Sequence, residues 1–541
     1  MSHDVTTALK AAAEVDQPAF ITLLDDARIT GDGPLGGVPF AVKDNIDVAG
    51  VPTTAACPAR TEPATDTAFA VRRLRAAGAV PIAKTNLDQF ATGLVGTRSP
   101  YGACHSVAST AHVSGGSSSG SAIAVALGVV PFALGTDTAG SGRVPAAFNG
   151  LVGVKPTRGL VSTRGVLPAC PALDCVTTLT RTVDDARPVL DALIGADPTD
   201  PYSRPVPVHP PVGVATRMRV IAVPDRPLDL TPDYATAWSD AVAHAGRIAH
   251  VIPVEVTPFL MAARLLYDSA FLAERLAAFG DLLGGPGVDP TVRHVVSGGA
   301  RFTAADVFTA QRELAVLRQA TDMAFVGADA LLLPVTPGHP TLADVAADPI
   351  GVNARLGTFT NMVNLLDLCA VAVPAGTAAG LPFGVQLMAP AFADRPLLNL
   401  AARWTGEPEP PLAGRSLIAV AGAHLTGQPA NADLVRLGGI LHSRARTATG
   451  YRMYTVDGPF PRPGLVSGDG PGGIDVEVWD LPPAAIADLA TTIAPPLHLG
   501  PLALDDGSTV LGFVADTACA DPTRDITGHG GWRSYLTGRL R

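Results

Sequence analysis

Three short segments hold residue types that together suit acyl transfer. They are Val42-Lys43-Asp44, the run Gly115-Gly116-Ser117-Ser118-Ser119-Gly120-Ser121, and Gly135-Thr136-Asp137-Thr138-Ala139-Gly140-Ser141-Gly142-Arg143. A serine hydroxyl is a weak nucleophile until a neighbouring base takes its proton. Lysine can be that base only when neutral, and burial among apolar neighbours lowers its pKa by desolvating the ammonium. Pro39-Phe40-Ala41-Val42 before Lys43, with Ile46 and Val48 after it, read as the end of a buried strand and predict such a shift. The carbonyl oxygen under attack also gathers negative charge. In the turn Thr138-Ala139-Gly140-Ser141, consecutive backbone N–H groups can converge on that oxyanion, with glycine allowing the dihedrals. Ser141 is therefore the candidate nucleophile. A glycine- and serine-rich run alone is an ordinary flexible loop; here it stands beside a lysine and a second glycine turn.

These residues resemble the amidase signature family, whose triad is a serine, a second serine in a cis peptide, and a lysine. The family spacing puts the bridging serine 24 residues before the nucleophile, which Ser117 satisfies against Ser141 while Ser118 and Ser119 miss the register. The resemblance implies a relay in which Lys43 takes a proton from Ser141 through Ser117 and returns it to the leaving nitrogen. It implies no cofactor.

Elements to position these groups are legible around them. Residues 68–78 show helical apolar spacing closed by glycine, and 79–84 read as the strand that follows. Residues 119–127 predict a helix packed by small side chains and 129–134 a short buried strand. Long helices are expected at 258–283 and 304–323. The alternation continues to about residue 400 and predicts an α/β domain around a largely buried mixed sheet. Proline and glycine crowd 406–414, the expected linker between a domain at 1–405 and a smaller α+β or β-rich domain at 415–541, with strand-like runs at 417–421, 451–456, 474–479 and 509–514.

Composition bounds the function. With 47% hydrophobic and 16% charged residues the chain reads as well-buried globular domains. A net charge of −10 with dispersed lysine and arginine argues against a nucleic-acid partner. Met1-Ser-His-Asp4 begins no basic, apolar leader, and the longest apolar stretch, 122–134, is too short for a bilayer, so the expectation is cytoplasmic with no membrane partner. Six scattered cysteines read as reduced thiols. Cys170 and Cys175 lack metal-ligand spacing and are taken as structural, so no metal is expected.

The triad sets the reaction and leaves the substrate open. Segments 86–101, 357–369 and 380–387 look like allophanate hydrolases, and so does the tail through Gly422-Ala-His-Leu-Thr-Gly427, Tyr451-Arg-Met-Tyr454 and Asp525-Ile-Thr-Gly-His-Gly-Gly-Trp-Arg-Ser-Tyr535. Allophanate is urea with a carboxylate on one nitrogen, and a guanidinium fork suits a carboxylate. By resemblance, Tyr267 and Arg275 bind it, eight residues apart, which in one helix is about two turns and a shared face. Gly93 corresponds to a backbone contact to substrate. Arg275 paired with Asp268 or Glu274, and Gly93 as a turn glycine, are the plain structural readings. Where the family has Gly-Pro-Trp-Val before Ala-Glu-Arg, this chain has Ser269-Ala-Phe-Leu272. The tail, of a γ-glutamylcyclotransferase-like fold by resemblance, is associated with decarboxylating N-carboxycarbamate, and His424 is its candidate proton shuttle, against a core histidine. The resemblance further implies a homodimer in urea degradation, associated with a urea carboxylase. The rivals are a carboxybiuret-type hydrolase and the amidase subunit of a tRNA-dependent amidotransferase.

Overall fold

The computed structural model describes residues 4–24, 28, 31–207, 214–409, 416–457 and 462–539. They form two compact units: Met1–Val206, Ala222–Ala324 and Ala330–Glu409 in the first, Pro207–Ile221, Phe325–Asp329 and Pro410–Arg541 in the second.

The first unit is built on short apolar runs, buried on both faces in the middle of the sheet and part-exposed at its two edges, Phe20–Leu23 and His250–Val254. They assemble into an eleven-stranded mixed sheet in the order Phe20–Leu23, Val80–Thr85, Pro39–Lys43, Phe132–Asp137, Cys175–Thr180, Val152–Lys155, Leu368–Ala378, Leu381–Pro390, Ala330–Pro334, Val220–Pro224, His250–Val254. Pro39–Lys43 runs parallel to both neighbours, Val80–Thr85 and Phe132–Asp137. Alternation along these strands divides the core. Phe40, Val42, Phe132 and Leu134 face one cluster, closed by Val71 and Leu74 of the helix Phe69–Ala76, and the Phe40 and Phe132 rings stack at 5.1 Å. Ala41 and Ala133 face the other, where their small side chains admit the equally small-residue helix Ser119–Ala126 close to the sheet. That helix begins at Ser119, with Ser118 at its N-cap, so its packing fixes where the serines sit.

Two expectations are corrected. The strand read at 129–134 lies at Phe132–Asp137, which carries Thr136 and Asp137 to its carboxyl end beside Lys43. The helix expected over 258–283 is two helices, Thr257–Asp268 and Leu272–Phe279, followed by a 3-10 turn at Gly280–Leu282. Ser269 adopts extended backbone there and its hydroxyl donates to Leu265 O at 2.5 Å, taking up a terminal carbonyl of the first helix. The helix expected at 304–323 spans Ala304–Ala324.

The second unit has its own five-stranded sheet, ordered Ile440–Arg446, Asp475–Leu481, Ser416–Val420, Thr509–Ala515, Leu497–Ala503, with a separate ribbon of Tyr451–Val456 and Arg462–Ser467. It also recruits segments distant in sequence. Ala215 joins its apolar cluster, Thr216 N donates to Leu441 O at 2.9 Å, and buried Arg444 pairs with buried Asp329. A split at 406–414 does not capture these two insertions, and residues 410–414 of that linker lie outside the described residues. No described helix is long and apolar enough to cross a membrane.

Candidate active site

Lys43 ends its strand fully buried, with Nζ 2.7 Å from Ser117 Oγ, 2.8 Å from Thr136 Oγ1 and 3.0 Å from Ser118 Oγ. Burial lowers its pKa to about 7, and the carboxylates of Asp88, Asp137 and Asp174 oppose that shift only in part. A neutral amine has two N–H bonds and one lone pair, so one of the three hydroxyls must donate to it. Ser118 Oγ donates to Thr136 O at 3.2 Å, which leaves it accepting from Lys43. Thr136 Oγ1 also accepts from Asn45 Nδ2 at 3.3 Å, while Ser117 makes no other side-chain hydrogen bond among the described residues, so its proton is free to pass to Nζ. Ser119 Oγ turns to Asn86 O at 3.5 Å. The Gly116–Ser117 peptide is cis, a feature no residue pattern states.

Ser141 is buried beside this group, its Oγ donating to Gly93 O at 3.4 Å. It makes no hydrogen bond to Ser117 Oγ; the two segments are joined instead by Ser118 N donating to Ser141 O at 3.1 Å. The turn leading to Ser141 is braced from within. Asp137 accepts Gly140 N–H at 2.8 Å and Gly142 N–H at 3.2 Å, while a buried bidentate pair with Arg143, 2.9 Å on each oxygen, anchors it. Burial raises the Asp137 pKa, but Arg143 more than offsets this and keeps it below the usual value. Gly140 has φ +121°, and a Cβ there would come within 2.4 Å of Thr360 Oγ1, so the turn demands glycine. Gly140 N–H is thus spent on Asp137. The four oxyanion donors expected from the sequence narrow to Thr138, Ala139 and Ser141, whose N–H groups find no acceptor among the described residues.

Tyr267 and Arg275 meet across the break between their two helices: Arg275 Nη2 donates to Tyr267 OH at 3.1 Å and Nη1 to Thr92 Oγ1 at 3.3 Å. Their shared face comes from the kink at 269–271, which replaces the two unbroken turns expected. Arg275 is 1% exposed and its guanidinium has no carboxylate within salt-bridge distance among the described residues. Asp268 and Glu274 are not its partners; Glu274 accepts Ala172 N–H at 2.7 Å. Burial works against the charge, but Cys170, Tyr267, Asp174 and Glu274 nearby raise the pKa above its ordinary value, so Arg275 stays a cation. Asp174 links the two halves of the site. It accepts the Thr138 hydroxyl and the N–H of Ala169 and Cys170, and burial pushes its pKa up. Sequence reasoning did not single out Asp137, Arg143 or Asp174, although Asp137 and Arg143 stand inside the glycine motif.

His424 belongs to the second unit. It lines a cavity of about 180 Å³ with Asp433, Arg462, Thr492 and Phe513, stacked on Phe513 at 4.9 Å between centroids. Burial lowers its pKa, opposed by Asp433. Its loop is held by buried Glu477, which accepts Thr426 N–H at 2.7 Å and Arg533 Nη2 at 2.9 Å.

Residues 4–398 match the amidase family and residues 416–537 the allophanate hydrolase C-terminal domain. Urea amidolyase of Saccharomyces cerevisiae is 40% identical over 93% of this chain and 30% of its own length, so the chain spans under a third of that relative. Allophanate hydrolase of Kluyveromyces lactis superposes with a TM-score of 0.72 at 36% identity, covering 99% of this chain and 97% of that one. A glutamyl-tRNA(Gln) amidotransferase subunit from Symbiobacterium thermophilum is 34% identical over 73% of this chain and 91% of its own.

Proposed function

Since the chain belongs to the amidase family, we propose that it hydrolyses allophanate to ammonia and carbon dioxide through a Ser141 acyl-enzyme, as part of urea degradation. The observation that carries the substrate is Arg275, a buried guanidinium that makes no contact ion pair among the described residues, beside a hydrolytic serine. Arg275 Nε finds no acceptor among the described residues, and a substrate carboxylate suits such a fork through charge-assisted hydrogen bonds. The likeness to an allophanate hydrolase over nearly the whole of both chains supports the same reading. The amidotransferase relative matches only 73% of this chain, and a tail with its own sheet and cavity favours allophanate over that alternative.

In this reading Lys43, with a substantial neutral fraction once its pKa falls to about 7, accepts the Ser117 proton as Ser117 accepts that of Ser141. Ser141 Oγ bonds to the carbonyl carbon bearing the free amino group, and the N–H groups of Thr138, Ala139 and Ser141 receive the oxyanion. The relay needs Ser141 Oγ to rotate from Gly93 O toward Ser117. The proton returns to the leaving nitrogen as the C–N bond breaks and ammonia departs. Water then cleaves the ester by the same relay, giving N-carboxycarbamate, whose loss of carbon dioxide needs a proton on nitrogen. The domain 415–541, through His424, is proposed to deliver it. The enzyme is proposed to be a cytoplasmic homodimer supplied by a urea carboxylase, a pairing that the greater length of the urea amidolyases supports.

The test assays purified protein with allophanate, biuret, malonamide and glutamine in parallel, following ammonia. Allophanate is expected to be the best substrate. Arg275→Leu should cut its kcat/KM by 30-fold or more, about 2–5 kcal/mol, while leaving an uncharged amide such as propionamide little changed. Equal losses on both would make Arg275 structural and remove the argument for allophanate.

A further inference from the structure

The helix Ala304–Ala324 buries only Ala310, Leu317 and Thr321 of its 21 residues. On its opposite side stand the most exposed large apolar side chains described in the protein: Phe308 at 71%, Met323 at 66% and Val316 at 63% exposed. At 100° per residue these three fall with Arg312, Ala315 and Gln319 on one face about 100° wide, running some 22 Å along the axis. The face is apolar at both ends and at its middle, with one polar residue in each gap, the mixed pattern of a surface that pairs apolar and charged groups with a partner.

The stripe is also self-complementary. Turn a second copy of the helix antiparallel about an axis between Ala315 and Val316, and Phe308 faces Met323, Arg312 faces Gln319 and Ala315 faces Val316. An isologous contact requires this reciprocity. Charge agrees with the register. The acidic Asp322 of one copy lies three residues from the level of Arg312 of the other. Because helical side chains lean toward their own N-terminus, the two lean toward each other in an antiparallel pair. Neither makes a contact ion pair among the described residues of its own chain, Arg318 acting on Asp322 only from farther off. We propose that this face is the two-fold interface between two copies of the chain, Phe308 packing on the partner's Met323 and Arg312 pairing with the partner's Asp322. The inference rests on the homodimer proposed above and assigns its surface.

Analytical ultracentrifugation of the full chain tests it. The parent should sediment at twice 55.2 kDa. Phe308→Glu and Val316→Glu should each weaken the dimer about tenfold or more, with circular dichroism and ammonia release confirming a folded chain. Arg312→Asp and Asp322→Arg should each weaken it, and the double reversal should restore it. Phe308→Cys combined with Met323→Cys should cross-link two chains on oxidation, and neither single variant should. A monomeric parent would overturn both the homodimer and its surface. A dimer unmoved by these substitutions would overturn the surface alone, and cross-linking by Phe308→Cys alone would overturn the register.

Discussion

At the scale of single residues the site depends on where protons sit. Lys43 can act as a base only in its neutral form, and burial brings its pKa to about 7. Below that value the amine holds a proton, so kcat/KM is expected to fall about tenfold per pH unit on the acid side and to level off above pH 7 to 8, as steady-state profiles will show. The linkage to stability has a definite sign. The unfolded lysine keeps its proton up to about pH 10.5 while the folded one releases it near 7, so this group opposes folding below pH 7 and ceases to do so as pH rises through 10.5. Ser141→Ala, Ser117→Ala and Lys43→Ala should each lower kcat on the order of 10³-fold or more, and the triple variant little further, because the three act as one relay. Ser118→Ala should cost far less. If Ser118→Ala matched Ser117→Ala, the proton path drawn from the Lys43 contacts would be wrong. Lys43, Ser117 and Ser141 were legible because residue type and spacing alone select them. Asp174 was not, because a lone aspartate beside a cysteine acquires meaning only once folding brings Thr138 against it.

At the scale of elements, the turn between the strand Phe132–Asp137 and the helix Arg143–Phe148 is held by one buried ion pair. Arg143 also donates to Gln386 Oε1 at 2.7 Å and Thr360 O at 3.2 Å, so it ties the turn to the strand Leu381–Pro390 and to the segment before the helix Asn361–Leu365. Arg143→Met would leave the Asp137 carboxylate buried without its cation, and urea unfolding should show a loss of about 3–5 kcal/mol. Arg143→Met with Asp137→Asn should lose less than the single change, since the stranded charge is gone. A single variant as stable as the parent would show the pair to be dispensable. Strand and helix periodicity made most of these elements readable in advance. The break at 269–271 escaped because the residues from Ser269 to Leu272 all tolerate a helix, and it is the Ser269 hydroxyl bond to Leu265 O that marks the end.

At the scale of the whole molecule, the second unit gathers residues 207–221 and 325–329 from within the amidase part of the sequence. No local composition marks them, since what assigns them is Arg444 closing on Asp329 and Ala215 entering the tail's core. Cutting the chain at residue 414 would therefore strip these segments of partners, and the tail is better tested by substitution. His424→Ala should leave the first ammonia from allophanate unchanged and delay carbon dioxide, so that time-resolved traces separate early carbon dioxide from early ammonia. Coincident traces in parent and variant would make the tail an assembly module.

The unpaired guanidinium of Arg275 bears on heat resistance as well as on recognition. Asp174 and Glu274 favour the cation from a distance, but none of the described carboxylates closes on it, so a small carboxylate that reaches it acts as a contact counter-ion. A species that binds only the folded chain raises stability by RT ln(1 + [L]/Kd), about 2.7 kcal/mol at a hundredfold excess over Kd. Malonate, with a second carboxyl set like the amide of allophanate, should therefore raise the melting temperature by a few degrees while competing with substrate. Arg275→Leu should show no shift with malonate, which would tie this stabilisation to the one guanidinium rather than to the fold at large.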